Sequence, residues 1–342
     1  MKTVLVTGGA GYVGSHCAKA FAEAGWRVVT LDNLSRGWRE AVRWGPLVEC
    51  DIADSARVQA AMEQHRPDLV AHFAAYAYVG ESVTDPGLYY LNNSAATLAL
   101  LDAMRAAKIG AMLFSSTCAS YGAPAYLPID EAHPQNPINP YGWSKFIIER
   151  MLADYGRAYG LSSVSLRYFN AAGCDPGGEI GERHEPETHA IPLAIEAARR
   201  PEQPFTVLGT DFDTRDGSAI RDYVHVNDLA QAHVMAGEML IARKGSHIFN
   251  LGTGVGTSVL ELVDAVGRAA GGPVALRHGP RRPGDPACLV ASYEKAEREL
   301  GWRPRCSDID FIVRTALAWR DKMAADPAPC SDRRRLPSAV RR

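Results

Sequence analysis

Short apolar runs alternate with longer amphipathic stretches through the first half of the chain. The runs at 3–7, 27–32, 47–50, 69–75, 111–117 and 163–169 predict buried strands. The stretches between them, at about 12–24, 54–66, 86–108 and 141–160, carry apolar residues at helical spacing. Strands alternating with helices of this length predict a parallel sheet covered by helices on both faces. Asp85-Pro86 and Asn139-Pro140 read as N-cap and first-turn pairs at two helix starts. After Asn170 the texture changes. Residues 171–190 hold six glycines and prolines among several charges, which predicts a long functional loop. Elements beyond it are shorter, and 247–251 looks like one more buried strand returning to the first sheet. The boundary between the two lobes falls near 170–180. Residues 326–342, with three prolines and five arginines, read as a disordered tail.

The chain has 342 residues, enough for about two domains. Its 37 Lys and Arg balance 39 Asp and Glu, for a formal net charge of -2. That balance argues against a nucleic-acid partner, which calls for a basic field. No apolar run approaches a membrane span, and the first residues do not look like a secretion signal, so a cytoplasmic protein is expected. Seven scattered cysteines form no C-x-x-C pair, so neither a disulfide framework nor a cysteine zinc site is indicated.

Gly8, Gly11 and Gly14 follow the first predicted strand and open the first helix. Residues without side chains let the chain turn tightly and let backbone N–H groups approach a pyrophosphate at a helix start. Asp32 closes the second strand, where its carboxylate can accept from an adenosine ribose and repel a 2′-phosphate. NAD is therefore the expected cofactor. Asp51 and Ile52 close the third strand, where an adenine edge would lie, although a lone Asp there could equally cap a helix. A second glycine cluster, 252–256, has no acidic strand end about 20 residues on and reads as a structural turn into a helix near 258–270.

Tyr141 and Lys145 stand four apart, on one face of a helix. A phenol ionises near pH 10, and a neighbouring ammonium together with the helix start favours the phenolate. A shift of three units needs about 4 kcal/mol of differential stabilisation. Thr117 ends the fifth strand, where ligands of such sheets bind, and its hydroxyl could relay a proton. His184 and His189 lie in the long loop near Glu182, Glu185 and Glu187; their spacing is not H-E-x-x-H, so a solvated substrate loop and no metal are expected.

These residues, with the segments TGGAGYVGSH, LDNLSRG, HFAAYAYVGES, YYLNN, FSSTCASYG, NPYGWSK, LRYFNAAG, IRDYVHVNDLA and RRPGD, resemble the extended short-chain dehydrogenase/reductase family over about residues 1–320. The resemblance is to its members acting on UDP-sugars. It implies an α/β protein: a Rossmann-type doubly wound parallel sheet (1–175, with returning elements from about 217–255) and a smaller α/β substrate domain (176–325). It implies that Tyr12 and Val13 contact the NAD pyrophosphate, that Asp32, Asn33, Leu34, Ser35, Arg36 and Gly37 hold the adenosine ribose, and that Asp51 and Ile52 flank adenine. Phe73, Ala74, Ala75, Tyr76, Ala77 and Asn92 would line the nicotinamide half, with Phe169 close by. Tyr141 would be the base, Lys145 its partner and a ribose ligand, and Thr117 the relay. Asn170, Arg221, Arg282 and Asp285 would hold the UDP portion of the substrate.

The implied activity is inversion at C4 of a UDP-hexose, UDP-galactose to UDP-glucose, through a transient 4-keto sugar. UDP-pentoses and UDP-N-acetylhexosamines are the alternatives. Three positions depart from the family pattern: Thr117 for the usual Ser, Ala77 for a lysine that faces the cofactor phosphates, and Leu289 at the sugar gate. A 4,6-dehydratase would need an acid pair beside the relay hydroxyl, where this chain has Cys118-Ala119. A net dehydrogenase, or a non-catalytic NAD-binding regulator, are the remaining rivals. A homodimer is expected from resemblance, with an apolar face at 86–108 or 141–160 available to build it.

Overall fold

The computed structural model describes residues 1–282 and 285–325. Seven strands form one parallel sheet: β1 (Thr3–Thr7), β2 (Arg27–Asp32), β3 (Leu47–Glu49), β4 (Leu69–His72), β5 (Ala111–Thr117), β6 (Ser162–Tyr168) and β7 (Ser246–Leu251). Their order is β7-β6-β5-β4-β1-β2-β3. The order reverses between β1 and β4, and that reversal opens a crevice beyond the carboxyl ends of the strands. β1, β4 and β5 are buried along their whole length, as sheets covered on both faces require.

Two apolar layers hold the sheet. On one face Phe21, Trp26, Leu229 and Leu240 join Val4, Leu69, Leu166 and Phe249. The helix Val226–Ala242 lies there against Tyr12–Glu23, so the second half of the chain contributes both this helix and β7 to the first sheet. On the other face Met62, Leu100, Ile148 and Leu152 pack on Leu5, Val70 and Phe114. A separate core around Ile195, Val207, Leu262, Val266 and Ile312 supports the remaining elements.

The periodic pattern located the strands within one or two residues at most ends. The predicted strand 69–75 stops at His72; Phe73 and the residues after it leave the sheet to line the crevice. The predicted helix 86–108 is not continuous. Asp85 caps a short turn Pro86–Tyr89, a π-helical turn follows at Tyr90–Ala95, and the α-helix is Ala96–Ala106. The π turn points Asn93 inward. Its Oδ1 accepts from Tyr76 N (2.9 Å), and its Nδ2 donates to Tyr76 O (3.0 Å) and Ser144 Oγ (3.0 Å). One buried amide thus fixes the crevice wall to the helix Pro140–Tyr159, whose first turn Asn139 caps through Gly142 N at 2.8 Å.

The second glycine cluster is the structural turn expected of it. Gly252 presses against Asp222, whose carboxylate accepts from the N–H groups of Thr253, Gly254 and Ala291. The next helix, Val259–Ala270, starts with a capping box between Ser258 and Glu261. The tail 326–342 lies outside the described residues.

Candidate functional site

One cavity of about 810 Å³ runs over the carboxyl edge of the sheet. At one end is the glycine turn after β1. Gly8 has φ +72°, and a Cβ there would lie 2.5 Å from Ala74 N; one on Gly14 would lie 2.3 Å from Gly8 O. These two glycines let β1, β4 and the first helix close up. Gly11 differs, because a Cβ there would meet only Gly8 O, at 3.2 Å, and would stand in the cavity wall. Gly11 is the N-cap of Tyr12–Glu23, offers no side-chain cap, and no acid stands in the first turn. The first N–H groups of a helix have no intrahelical partner. A bare, uncapped helix start facing a cavity fits the pyrophosphate of NAD.

Asp32 lies beside this cradle, deeply buried. Its Oδ2 accepts from Ala10 N at 3.0 Å and its Oδ1 from Leu34 N at 2.8 Å, while burial raises its pKa. These bonds leave a lone pair on each oxygen for a ribose hydroxyl. Asn33 Nδ2 donates to Asp51 Oδ2 at 2.8 Å, tying the ends of β2 and β3 together. Asn33, Ser35, Arg36, Gly37, Asp51 and Ile52 all line the cavity. Leu34 does not. It adopts φ +58°, and only its backbone N–H takes part, through Asp32. Phe73, Ala74, Ala75, Tyr76, Ala77 and Asn92 form the wall beyond. At Ala77 the wall is exposed and carries no cation. Arg36 reaches toward it, stacked on Tyr76 and Tyr78 and paired with Glu81 at 2.7 Å.

In the middle of the cavity the end of β5 meets the start of Pro140–Tyr159. The Tyr141 hydroxyl lies beside the Thr117 side chain, which favours its ionised form, and Lys145 Nζ donates to the carbonyl of Ser115 at 2.8 Å. The expected acidification of Tyr141 is not found in the protein alone. Burial dominates and pushes the phenol up to about 12, with Thr117 opposing. Burial likewise lowers Lys145 to about 7. Both groups favour their neutral forms in this dry pocket, because each is desolvated and the ammonium sits on a backbone carbonyl rather than on the phenol. An ionised phenol therefore needs further positive charge in the cavity.

Phe169, Asn170, Arg221, Arg282, Asp285 and Leu289 line the far end. Arg221 pairs with Asp285 and donates to Pro286 O at 2.9 Å, so its fork is held in place. The sequence reading missed Tyr168, bonded to Ser115, and the lining residue Arg183, and it named His184 and His189 only as part of a solvated substrate loop. No spacing marks these loop residues. His184 and His189 also correct the solvated-loop expectation. With Glu182 and Glu187 they form a half-buried to buried cluster whose ligand-type atoms lie within 4.8 Å of one another.

The comparisons agree with this geometry. Residues 4–252 match the model of the NAD dependent epimerase/dehydratase family. The chain is 53% identical over 321 residues (94% of this chain, 98% of the relative) to the UDP-glucose 4-epimerase of Rhizobium leguminosarum bv. trifolii. Among solved structures, the UDP-glucose 4-epimerase of Brucella ovis in complex with NAD superposes with a TM-score of 0.91 at 52% identity, covering 93% of this chain and 98% of that one. The enzyme from Stenotrophomonas maltophila, with bound NAD and formylated UDP-arabinopyranose, gives 0.92 at 37% identity, covering 95% and 99%. A family match across most of the chain, with relatives above half identity over nearly all of it, shows that the chain belongs to the NAD dependent epimerase/dehydratase family.

Proposed function

We propose that this protein inverts C4 of a UDP-hexose, interconverting UDP-galactose and UDP-glucose, with NAD as a recycled cofactor. The observation that carries the reading is a single cavity in which an uncapped helix start, the Thr117–Tyr141–Lys145 group and the Arg221–Asp285 end lie in sequence. NAD, when bound, would supply a reversible hydride acceptor for C4 of the sugar and a positive ring charge.

Gly8, Gly11, Tyr12, Val13 and Gly14 would hold its phosphates, and Asp32 its adenosine ribose. Tyr141 Oη takes the proton of the sugar 4-hydroxyl, with the Thr117 hydroxyl as relay. Lys145 orients the phenol's surroundings from the next helical turn and stabilises its anion when charged. Asn170, Arg221, Arg282 and Asp285 grip the UDP; the planar arginine forks suit phosphate oxygens. A firm hold on the nucleotide leaves the keto sugar free to turn its other face before proton and hydrogen return. Residues 1–175 with 217–255 form the NAD-binding unit in this reading, and 176–325 the UDP-sugar unit.

Incubation of the purified protein with UDP-galactose tests the proposal. UDP-glucose should form without net NADH; stoichiometric NADH would indicate a dehydrogenase instead. The S. maltophila complex supports a second reading, a UDP-pentose substrate. Leu289 and Cys118 at the cavity wall leave that choice to a comparison of turnover on UDP-galactose, UDP-N-acetylgalactosamine and UDP-arabinose.

Exposed Leu91, Leu98 and Trp143, on the faces expected to pair, support a homodimer. Six described cysteines are all free, which supports a reducing compartment such as the cytoplasm. No helix among the described residues is long and apolar enough to cross a membrane.

A further inference from the structure

We propose that Glu182, His184, Glu187 and His189 form a four-coordinate site for a zinc-class divalent cation, which pins the loop beside the cavity. Four distances carry the argument. His189 Nδ1 lies 3.0 Å from Glu182 Oε1 and 3.3 Å from Glu187 Oε1; His184 Nδ1 lies 3.3 Å and 3.7 Å from the same two atoms. Ligands placed about 2.0–2.2 Å from a tetrahedral ion stand about 3.3–3.6 Å apart, and the four N···O separations bracket that range; all four atoms lie within 4.8 Å of one another, so small side-chain shifts would bring them to the corners.

A second observation points the same way. Glu182 is buried, yet its Oε1 makes no hydrogen bond of acceptable geometry, and neither does His184 Nδ1. Two buried polar atoms of the cluster thus have ion-pair contacts but no well-directed hydrogen bond, a costly arrangement unless something there binds them. On ion binding each Nδ1 offers its lone pair and any proton held there passes to solvent.

The surroundings are built as an outer shell. Arg320 donates to Glu187 Oε2 at 2.7 Å, while Thr188 N and His189 N donate to Glu187 Oε1 at 2.9 and 3.0 Å. Trp319 Nε1 donates to Glu182 O at 3.1 Å and Trp38 Nε1 to Arg183 O at 3.0 Å. The ring of Tyr12, from the phosphate cradle, stands edge-on to His184 with centroids 6.1 Å apart. Four protein ligands with no open position make the role structural rather than catalytic. The ion would fasten the wall of the cavity to the cradle and to the helix Ile309–Ala325.

The test uses tag-free, full-length protein without NAD or UDP-sugar, so its outcome is separate from the epimerase reading. Metal content after purification, then after chelator dialysis and readdition of Zn²⁺, should return to one ion per chain. Co²⁺ should give the intense visible bands of a four-coordinate site, and Zn²⁺ should raise Tm. Glu182→Gln and His184→Gln should weaken the ion at least about tenfold, judged by Co²⁺ titration. Should either variant misfold, the wild-type titration decides alone. Weak octahedral Co²⁺ bands, or sub-stoichiometric metal with no Tm change, would show an ion-pair cluster only and overturn the proposal.

Discussion

Tyr141 and Lys145 are each pushed toward neutrality by burial, and that fixes what single substitutions should do. Tyr141→Phe removes the acid–base hydroxyl and leaves the ring between Tyr89 and the cavity. Turnover should fall by about 10²–10⁴, the range of general acid–base catalysis, while NAD released on denaturation stays unchanged. Full turnover in this variant would refute the mechanism. Lys145 gives a pH signature in NAD-free protein. Its folded pKa of about 7 lies below the unfolded 10.5, so the unfolded chain binds more protons in between. Stability should rise with pH from about 7 to about 10, and Lys145→Met should flatten that rise in a denaturant series. The glycines separate folding from binding. Gly14→Ala forces a Cβ to 2.3 Å from Gly8 O and should destabilise the protein, whereas Gly11→Ala should keep Tm and lose NAD. The residue types and spacings of the cradle and of Tyr141 and Lys145 were legible in the sequence because they are local. The inward turn of Asn93 was not, since it depends on a π turn that periodicity does not show.

At the scale of elements, β5, β6 and the helix Pro140–Tyr159 are bound by a buried polar network under the site. Arg167 makes two bonds to Glu149, with Nε–Oε1 at 2.9 Å and Nη2–Oε2 at 2.5 Å; Ser116 Oγ donates to Oε1 at 2.6 Å. Arg167 Nη1 reaches Tyr121 Oη at 2.9 Å, and Tyr121 donates to Asn250 Oδ1 on β7 at 2.6 Å. Glu149→Gln strands a buried guanidinium and should cost about 3–5 kcal/mol in urea unfolding. A loss under about 1 kcal/mol would mean that solvent reaches the pair. Glu149 follows Lys145 by one turn and Ser116 precedes Thr117 by one residue, so this network anchors the two elements whose ends carry the chemistry. None of its members could be paired from sequence, because their partners come from strands whose order the pattern does not state.

Across the whole molecule, buried histidines make the protein acid-sensitive. Burial lowers His16, His225 and His233 to about 4 and His72 to about 3. Their folded values lie below the unfolded 6.5, so unfolding takes up protons in that interval. Stability should fall as pH drops from about 6.5 toward about 4, seen as a declining Tm. In the metal-free protein His189 runs the other way: burial opposes its charge, but the carboxylates of Glu182 and Glu187 win and raise it to about 10, so its contribution is whole below 6.5 and fades as pH rises toward 10. A Tm that is flat between pH 6.5 and 4 would show that water reaches these rings.

Hydrophobic period and glycine placement determined the parallel sheet, the cofactor cradle and the face bearing Tyr141 and Lys145, since each depends on neighbours within a turn or a strand. Folding decided the strand order, the return of Val226–Ala242 and β7 to the first sheet, the broken helix with Asn93 turned inward, and the meeting of two glutamates with two histidines. Those features depend on which distant segments touch and on how burial shifts charge, and both arise only when separate parts of the chain are brought together and water is removed.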